Sequence, residues 1–172
     1  MIHIVLYRPE KPANTGNIIR TCMCFNMKLH IILPITFTID DTHLKRAGMD
    51  YLDVTDIKYH DSYAAFEKEE KGRYVYFTRY GMQSFDKCDF TSSKGKEDIY
   101  LIFGRESTGI PKDILREHLD DAYRLPMVKE ARSLNLSNCV AIGAYECLRQ
   151  IGFDGLSTTE AIKGPDFLIR EK

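Results

Sequence analysis

Short apolar segments of strand length alternate with helical segments along most of the chain, and this alternation restricts the possible folds more than any other feature. The strand candidates are residues 2–7, 29–33, 57–60, 73–78, 99–103 and 122–125. There is no internal repeat and no linker typical of a domain boundary. The pattern predicts one α/β domain over residues 1–172, with a mostly parallel sheet and helices on both faces. The tail after about residue 153 has weak periodicity and is expected to be only partly ordered.

The overall composition is that of an ordinary globular protein. The 172 residues suffice for one domain with a real core, and 44% hydrophobic and 28% charged residues are average values. No apolar run reaches the roughly 20 residues of a membrane span, and the first strand is too short for a signal peptide, which predicts a cytoplasmic protein. Because the net charge is −1, an RNA partner would have to be bound by a local basic patch.

The cysteines and histidines show no pattern of a disulfide framework or a metal site. The cysteines are Cys22, Cys24, Cys88, Cys139 and Cys147. Their number is odd and no pair follows at zinc spacing, so reduced thiols are expected. The five histidines are scattered without ligand spacing. We therefore expect no metal.

Polar loops follow three of the predicted strands, after residues 78, 103 and 125. Because ligands of parallel sheets bind beyond the carboxyl ends of the strands, these loops form the site if they converge. The loop at 104–111, GRESTGIP, has the glycine spacing of a phosphate-binding loop, but Ile110 and Pro111 replace the required Lys-Ser/Thr. This excludes a nucleoside triphosphatase of that type. Glu106 in this loop is either a solvated carboxylate or an acid of the site.

The third loop leads into the last helix. Residues 125–138 are small and polar with single apolar residues between them, and apolar positions from Val140 have helical spacing. Ser137 is the predicted N-cap. Gly143 and the alanines beside it leave room for a second helix. An ordinary loop before a core helix is the alternative interpretation.

A polar corner is predicted at the start of the first helix. Asn14, Asn17 and the turn at Gly16 suit an anion such as phosphate, and Arg20 lies off the apolar face of this helix. A plain solvent-facing arginine is the commoner alternative.

Three segments together resemble the three motifs of the SPOUT-class RNA 2′-O-methyltransferases. The segments are NTGNIIRTC (14–22), LIFGRESTGIP (101–111) and LPMVKEARSLNLSNCVAIGAYE (125–146), in this order and at these separations. The short chain and its N-terminal IVLYRPEKPANTGNIIR look like the minimal, TrmL-type branch, which methylates the wobble nucleotide of tRNA. The resemblance covers about residues 2–153.

The resemblance implies a C-terminal trefoil knot, S-adenosylmethionine as cofactor, and a homodimer that packs through the last helix. The residues it places at the cofactor are Phe77, Thr78, Gly104, Leu125, Met127 and Ser133. It places Arg20, Glu106 and Asn135 at the catalytic end. Arg105 departs from the family pattern, in which proline is common at this position. Residues 129–131 also differ from the residues that are usual there in the family.

The expected substrate is the 2′-hydroxyl of nucleotide 34, cytidine or uridine, within a tRNA anticodon stem-loop. No metal is needed, since the sulfonium already activates the leaving group. The candidates for RNA contacts are Asn14, Asn17, Arg8, Lys11, Arg20, Lys45, Arg46 and Arg79. The alternatives are methylation of another RNA such as rRNA and a catalytically silent dimer that binds RNA or a protein partner. A nucleotide-dependent oxidoreductase is disfavoured because the G-x-G-x-x-G fingerprint is absent.

Overall fold

A seven-stranded parallel sheet is the centre of the computed structural model, which describes residues 1–39 and 57–170. The strands are β1 (Ile2–Tyr7), β2 (Lys28–Ile32), β3 (Ile57–His60), β4 (Arg73–Phe77), β5 (Gln83–Ser84), β6 (Ile99–Phe103) and β7 (Ala122–Arg124). Their order is β3-β2-β1-β6-β4-β7-β5, and every strand pair within the described ranges is parallel. The predicted α/β class and parallel sheet are confirmed.

The described residues contain four α-helices, three between strands and one after the last strand. They are α1 (Pro12–Cys24), α2 (Tyr63–Glu69), α3 (Lys112–Glu117) and α4 (Leu136–Ile151). The side chain of Ser62 caps α2 by accepting a hydrogen bond from the Ala65 N–H at 3.1 Å. None of the helices in the described part of the chain is long and apolar enough to span a membrane. The short helix expected at residues 40–48 lies outside the described residues.

Alternate side chains of each strand enter two separate cores, one on each face of the sheet. Ile4 and Leu6 of β1 pack in a largely aliphatic core with α1 and α4, whereas Val5 points to the opposite core. That second core is more aromatic and includes Phe66 of α2 and Leu115 of α3. The period-two alternation places helices on both faces, as predicted. The trefoil knot implied by the resemblance stays a prediction.

The structure corrects the boundaries of both helices that border the site. The predicted turn around Gly16 is helical, because α1 already begins at Pro12. The N-cap of α4 is Asn135, whose side chain accepts the N–H groups of Ser137 and Asn138. The predicted cap, Ser137, is instead the second residue of α4. Its short polar side chain sits where it can donate to the true cap, from Oγ to Asn135 Oδ1 at 2.7 Å.

The segment 79–98, expected to be a polar loop, contributes to the core. It contains β5 and two short 3₁₀ turns, and Phe85, Cys88 and Phe90 are buried. These apolar residues are isolated among polar ones, so no periodicity indicated their burial. All five cysteines are free, as expected.

Candidate active site

The loops after β4, β6 and β7 meet in one cleft, with a volume of about 580 Å³. These three strands are neighbours in the sheet, so their carboxyl ends lie side by side. The cleft is lined by Lys11, Asn14, Phe77, Thr78, Arg79, Tyr80, Phe103, Gly104, Arg105, Glu106, Ser107, Thr108, Gly109, Leu125, Met127, Ser133, Leu134, Asn135, Leu136 and Cys139. All six residues proposed for the cofactor are among them, together with Glu106 and Asn135.

Glu106 connects the loop after β6 to the start of α1. Its carboxylate accepts hydrogen bonds from the backbone N–H groups of Glu10 at 2.8 Å and Lys11 at 3.1 Å. It also accepts the side-chain amide of Asn14 at 3.0 Å. A carboxylate beside a helix N-terminus is favoured by the helix dipole as well. Glu106 is therefore a clamp between two loops rather than a solvated acid.

The side chain of Asn14 extends this network to the third motif. While its Nδ2 donates to Glu106, its Oδ1 accepts a hydrogen bond from Asn135 Nδ2 at 2.9 Å. Asn135 uses its own oxygen to cap α4. One continuous chain of hydrogen bonds thus joins the loops of all three motifs at the edge of the cleft.

A second clamp runs in the opposite direction, from Glu10 to the loop after β6. Glu10 accepts hydrogen bonds from the Ser107 backbone N–H at 2.9 Å and hydroxyl at 2.8 Å, and it forms an ion pair with Arg105 at 3.0 Å. The hydrogen bonds from Ser107, with the charge of Arg105, lower the pKa of Glu10. Arg105, the departure from the family pattern, therefore has a structural partner.

Gly104 permits the tight fold of the loop itself. A Cβ at this position would lie 2.1 Å from the carbonyl carbon of Gly109 and 2.2 Å from the nitrogen of Ile110. Arg105 and Gly109 exchange two backbone hydrogen bonds that close the loop, at 3.2 and 2.9 Å. The space beside the Gly104 Cα is thus filled by the protein's own backbone.

The apolar floor of the cleft is continuous with the core. The rings of Phe77 and Phe103 stack with centroids 4.4 Å apart, and α4 packs against them. A Cβ on Gly143 would lie 2.8 Å from Cζ of Phe77. Gly143 therefore lets α4 approach the sheet, and the idea that it makes room for a second helix is wrong. Ala144 is also fully buried.

The other predicted residues in the described part of the chain do not line the cleft. Arg20 and Asn17 are exposed on α1. The side chain of Arg8 donates from Nε to the carbonyl of Leu33 at 3.0 Å. Lys45 and Arg46 lie outside the described residues.

Sequence reasoning missed Glu10, and it named Lys11 only as a candidate for RNA contacts. Both follow β1, and β1 pairs directly with β6, so the loop after β1 also reaches this edge of the sheet. The signal was available, because Pro9 ends the first strand and a charged pair flanks it. Only the strand order, however, shows that β1 neighbours β6.

The comparison with protein families decides the classification. Residues 1–145 match the model of the SpoU rRNA Methylase family. The chain belongs to the SpoU family. This confirms the resemblance to SPOUT-class methyltransferases that the three motifs carried.

Close SpoU relatives cover nearly the whole chain. The tRNA (cytidine(34)-2′-O)-methyltransferase of Escherichia coli strain K12 is 42% identical over 157 residues, 90% of this chain and 97% of its own. A Bacillus subtilis protein, which carries a provisional form of the same name, is 47% identical over 90% of this chain and 96% of its own. A structure solved to study 2-OH methylation of C/U34 on tRNA superposes with a TM-score of 0.75. It is 38% identical and covers 88% of this chain and 96% of that one.

The SpoU family depends on S-adenosylmethionine, and the cleft fits such a molecule. Its volume is within the range of roughly 300–1,000 Å³ typical of small-molecule sites. Its lining combines apolar side chains, among them Leu125 and Met127, with polar groups such as those of Thr78 and Ser133. S-adenosylmethionine has an adenine base, which packs on apolar side chains, and a polar ribose and amino-acid end, which need hydrogen bonds. A cleft lined by both kinds of group suits it.

Proposed function

We propose that the protein transfers a methyl group from S-adenosylmethionine to the ribose 2′-hydroxyl of nucleotide 34, cytidine or uridine, in tRNA. One observation carries the proposal: a single hydrogen-bond network joins the three family motifs around one cleft. The names of relatives that are 42–47% identical over 90% of this chain support the reaction and the nucleotide. The cytoplasm, where tRNA is modified, is the compartment we assign.

The loops after β4, β6 and β7 hold the cofactor in this proposal. Backbone groups at Gly104, Leu125 and Met127 and the Ser133 hydroxyl would hold it, together with Phe77 and Thr78, since all six residues line the cleft. The cofactor supplies a methyl group on a positively charged sulfur, so the leaving group needs no metal. The protein's task is to align the hydroxyl oxygen with the methyl carbon.

Glu106, Asn14 and Asn135 act by positioning rather than by proton transfer. Both oxygens of Glu106 already accept hydrogen bonds from α1 and the residues before it, which suits a clamp and not a general base. The clamp sets the start of α1, the helix that carries Arg20. We propose that Arg20 binds the adjoining phosphate and stabilises the developing alkoxide, since a guanidinium is too weak a base at neutral pH.

The RNA-binding surface is proposed at the mouth of the cleft. Lys11, Arg79 and Arg105 line the cleft, and Arg20 is exposed on the neighbouring helix. Because these contacts are with phosphates, affinity for an anticodon stem-loop should decrease steeply with salt.

The decisive experiment uses purified protein, S-adenosylmethionine labelled in its methyl group, and tRNA transcripts that differ at one ribose. Replacing the 2′-hydroxyl of nucleotide 34 by hydrogen should abolish label transfer, whereas the same change at nucleotide 33 should not. Ribosomal RNA fragments serve as the competing substrate, since the family description names rRNA. Label that persists without the hydroxyl of nucleotide 34 would show that the methyl group goes elsewhere.

Arg20→Ala separates chemistry from cofactor binding. We expect cofactor affinity, measured by calorimetry, to remain unchanged while turnover falls at least about a hundredfold. Arg20→Lys should restore only part of the rate, because a point charge cannot replace a planar fork on phosphate. Turnover near the wild-type rate in Arg20→Ala would contradict the assigned role.

A homodimer is part of the proposal, and its surface is the outer face of α4. Ile142 and Tyr145 are 44% and 52% exposed there, and Tyr145 lies against Phe153 with ring centroids 5.6 Å apart. Sedimentation at micromolar concentration should give twice the chain mass of 19.9 kDa, and Tyr145→Lys should give the monomer. An active wild-type monomer would contradict this surface.

A further inference from the structure

Three buried histidines from adjacent strands form a chain in the core opposite α1 and α4. His3 lies on β1, His30 on β2 and His60 on β3, each at most 5% exposed. His3 Nδ1 lies 2.8 Å from His30 Nε2, and His30 Nδ1 lies 2.9 Å from His60 Nε2. None of these residues lines the cleft, and the proposed methyl transfer uses none of them.

Carboxylates lie at both ends and at one side of this histidine chain. Asp98 Oδ2 is 3.6 Å from His3 Nε2, and Glu69 Oε2 is 3.3 Å from His60 Nδ1. Glu70 Oε1 lies beside the junction of the other two rings, 3.8 Å from His30 Nδ1 and 4.0 Å from His60 Nε2. Three acids therefore surround three buried imidazoles.

Three neutral imidazoles have too few protons to give every ring nitrogen of the histidine chain a hydrogen-bond partner. Three neutral rings carry three N–H groups, and the two contacts between rings use two of them. The third can serve only one end, so one terminal nitrogen must face a carboxylate without a proton between them. Consistently, His3 Nε2 and His60 Nδ1 both lack a hydrogen-bond partner. A buried polar group without a partner is unfavourable.

A cation between His30 and His60 completes the chain with the same three protons. His30 Nδ1 and His60 Nε2 would then offer lone pairs to the cation. The protons would lie on His30 Nε2, directed at His3 Nδ1, on His60 Nδ1, directed at Glu69, and on His3 Nε2, directed at Asp98. All six ring nitrogens would be used.

We propose that His30 Nδ1, His60 Nε2 and Glu70 Oε1 bind a divalent transition-metal ion, with zinc as the best match. Two imidazoles and one carboxylate are a ligand set that zinc favours. Ligand atoms on a tetrahedral zinc lie about 3.3 Å apart, given bond lengths of about 2.0 Å, and the three separations here are 2.9, 3.8 and 4.0 Å. Side-chain shifts of less than 1 Å bring the three atoms to that geometry.

The surroundings of the three ligands are those of a supported metal site. Each ligand has a polar neighbour at its second polar atom. His3 contacts His30, the Tyr100 hydroxyl donates to Glu70 Oε2 at 3.0 Å, and Glu69 Oε2 lies 3.3 Å from His60 Nδ1, where a metal-bound His60 would direct its proton. Such partners orient metal ligands. Burial lowers the pKa of all three histidines, that of His30 to about 4, which keeps the rings neutral as metal binding requires.

Lys58 now occupies the mouth of the site. Its ammonium donates to Glu70 Oε1 at 2.6 Å and lies 3.1 Å from Glu69. The side chain of Lys58 is 51% exposed, so it can leave toward solvent when a metal enters. The two carboxylates thus already bind a cation, the Lys58 ammonium. Lys58 should therefore compete with zinc for Glu70.

The test titrates zinc chloride into untagged, chelator-treated full-length protein by calorimetry, with thermal unfolding as a second measurement. One zinc per chain should bind and raise the melting temperature. Glu70→Gln, which keeps the side-chain shape and the contact with Tyr100, should weaken binding at least tenfold. Lys58→Met should strengthen it severalfold, because the competing ammonium is gone.

Control variants separate this site from other zinc-binding groups. His118→Gln, a change at a histidine outside the chain, and Cys24→Ala, a change at the exposed cysteine, should leave zinc affinity unchanged. Cobalt in place of zinc should give the visible absorption of a tetrahedral ion, and Glu70→Gln should lose it. The proposal is overturned if wild-type protein shows no saturable binding, or if Glu70→Gln and Lys58→Met bind zinc as the wild type does.

Discussion

The cleft and the histidine chain are two polar networks on one sheet, and they are completed in opposite ways. In the cleft, Glu106 and Glu10 accept hydrogen bonds from backbone N–H groups and side chains across two loops. The histidine chain is made almost only of side chains, and two of its nitrogens lack partners. The first network therefore holds its shape by itself, while the second depends on proton or metal occupancy.

The difference follows from where each network lies. Loops at strand ends have backbone N–H groups to offer, whereas the backbone groups of paired strands are already used by the sheet, as they are in β1 and β2. A polar cluster between strands must satisfy itself with side chains alone. Preorganisation by backbone donors suits a site that must align two substrates.

The largest effect should come from breaking the cleft at Gly104. In Gly104→Ala the new methyl group would collide with the backbone of Gly109 and Ile110, so the loop must open. We expect the free energy of unfolding to fall by about 3 kcal/mol and S-adenosylmethionine binding to be lost. Urea unfolding measures the first effect and calorimetry the second.

Gly109→Ala is the matched control for Gly104→Ala. Gly109 has a φ of +73° but nothing within 4 Å of a Cβ, so the cost should be only about 1 kcal/mol from backbone strain. If the two alanine variants were equally stable, the close approach of the loop to itself would not be what requires Gly104.

Acid should destabilise the histidine chain before it affects the cleft. Burial holds the pKa of His30 near 4, below its usual 6.5, and lowers the pKa of His3 and His60 as well. The unfolded chain therefore binds protons first as pH falls below 6.5. For His30 the stability is present above that pH and is lost between pH 6.5 and about 4, at up to about 1.4 kcal/mol per pH unit. His3 and His60 add losses that also begin as the pH falls below 6.5.

Chemical unfolding at a series of pH values, in chelator, measures this loss. The lowered pKa of Glu10 gives a loss in the same direction but at lower pH, because its stabilisation is present above its usual 4.5 and is lost as the pH falls below that value. His30→Gln should flatten the curve between pH 6.5 and 4, and Glu10→Gln should not. A wild-type curve without slope in that window would contradict neutral buried histidines.

The smallest expected effect is the difference in stability loss between substitutions in the two carboxylate clamps, Glu106 and Glu10. Glu106→Gln places an amide N–H₂ against backbone N–H donors, and we expect a loss of about 2 kcal/mol. Glu10→Gln, which weakens a partly exposed ion pair with Arg105, should cost at most about 1 kcal/mol. Thermal unfolding compares them, and an equal or reversed order would show that the Glu106 contacts do not hold α1.

The recognisable parts of the site are the ones built from contiguous motifs. The loop with Glu106 and the loop with Ser133 and Asn135 could be predicted, because each lies directly after an apolar strand or before a helix. Phe77 and Thr78 were named only by the resemblance to the family. The structure brings them into one cleft. Their roles toward cofactor and RNA stay proposals.

The predictions for the N-cap of α4 and for the packing of Gly143 were wrong for a common reason. Whether α4 begins after Asn135 or Ser137 depends on which side chain reaches the first N–H groups, and both residue types are good caps. Gly143 was assigned to a helix–helix contact, yet the rings of Phe77 and Phe103 occupy its side. Sequence spacing shows that a helix face is small, but it does not show what packs against it.

Period-two and helical apolar patterns by themselves determined the α/β class and the parallel sheet, because backbone geometry translates them directly into buried faces. The convergence of the three polar loops followed only from the strand order. Only the tertiary structure decided that β1 lies beside β6, which brings Glu10 to the cleft. It also placed His3, His30 and His60 in contact, although 27 and 30 residues separate the neighbouring pairs. Strand order and register create such contacts, and neither is written in the local sequence.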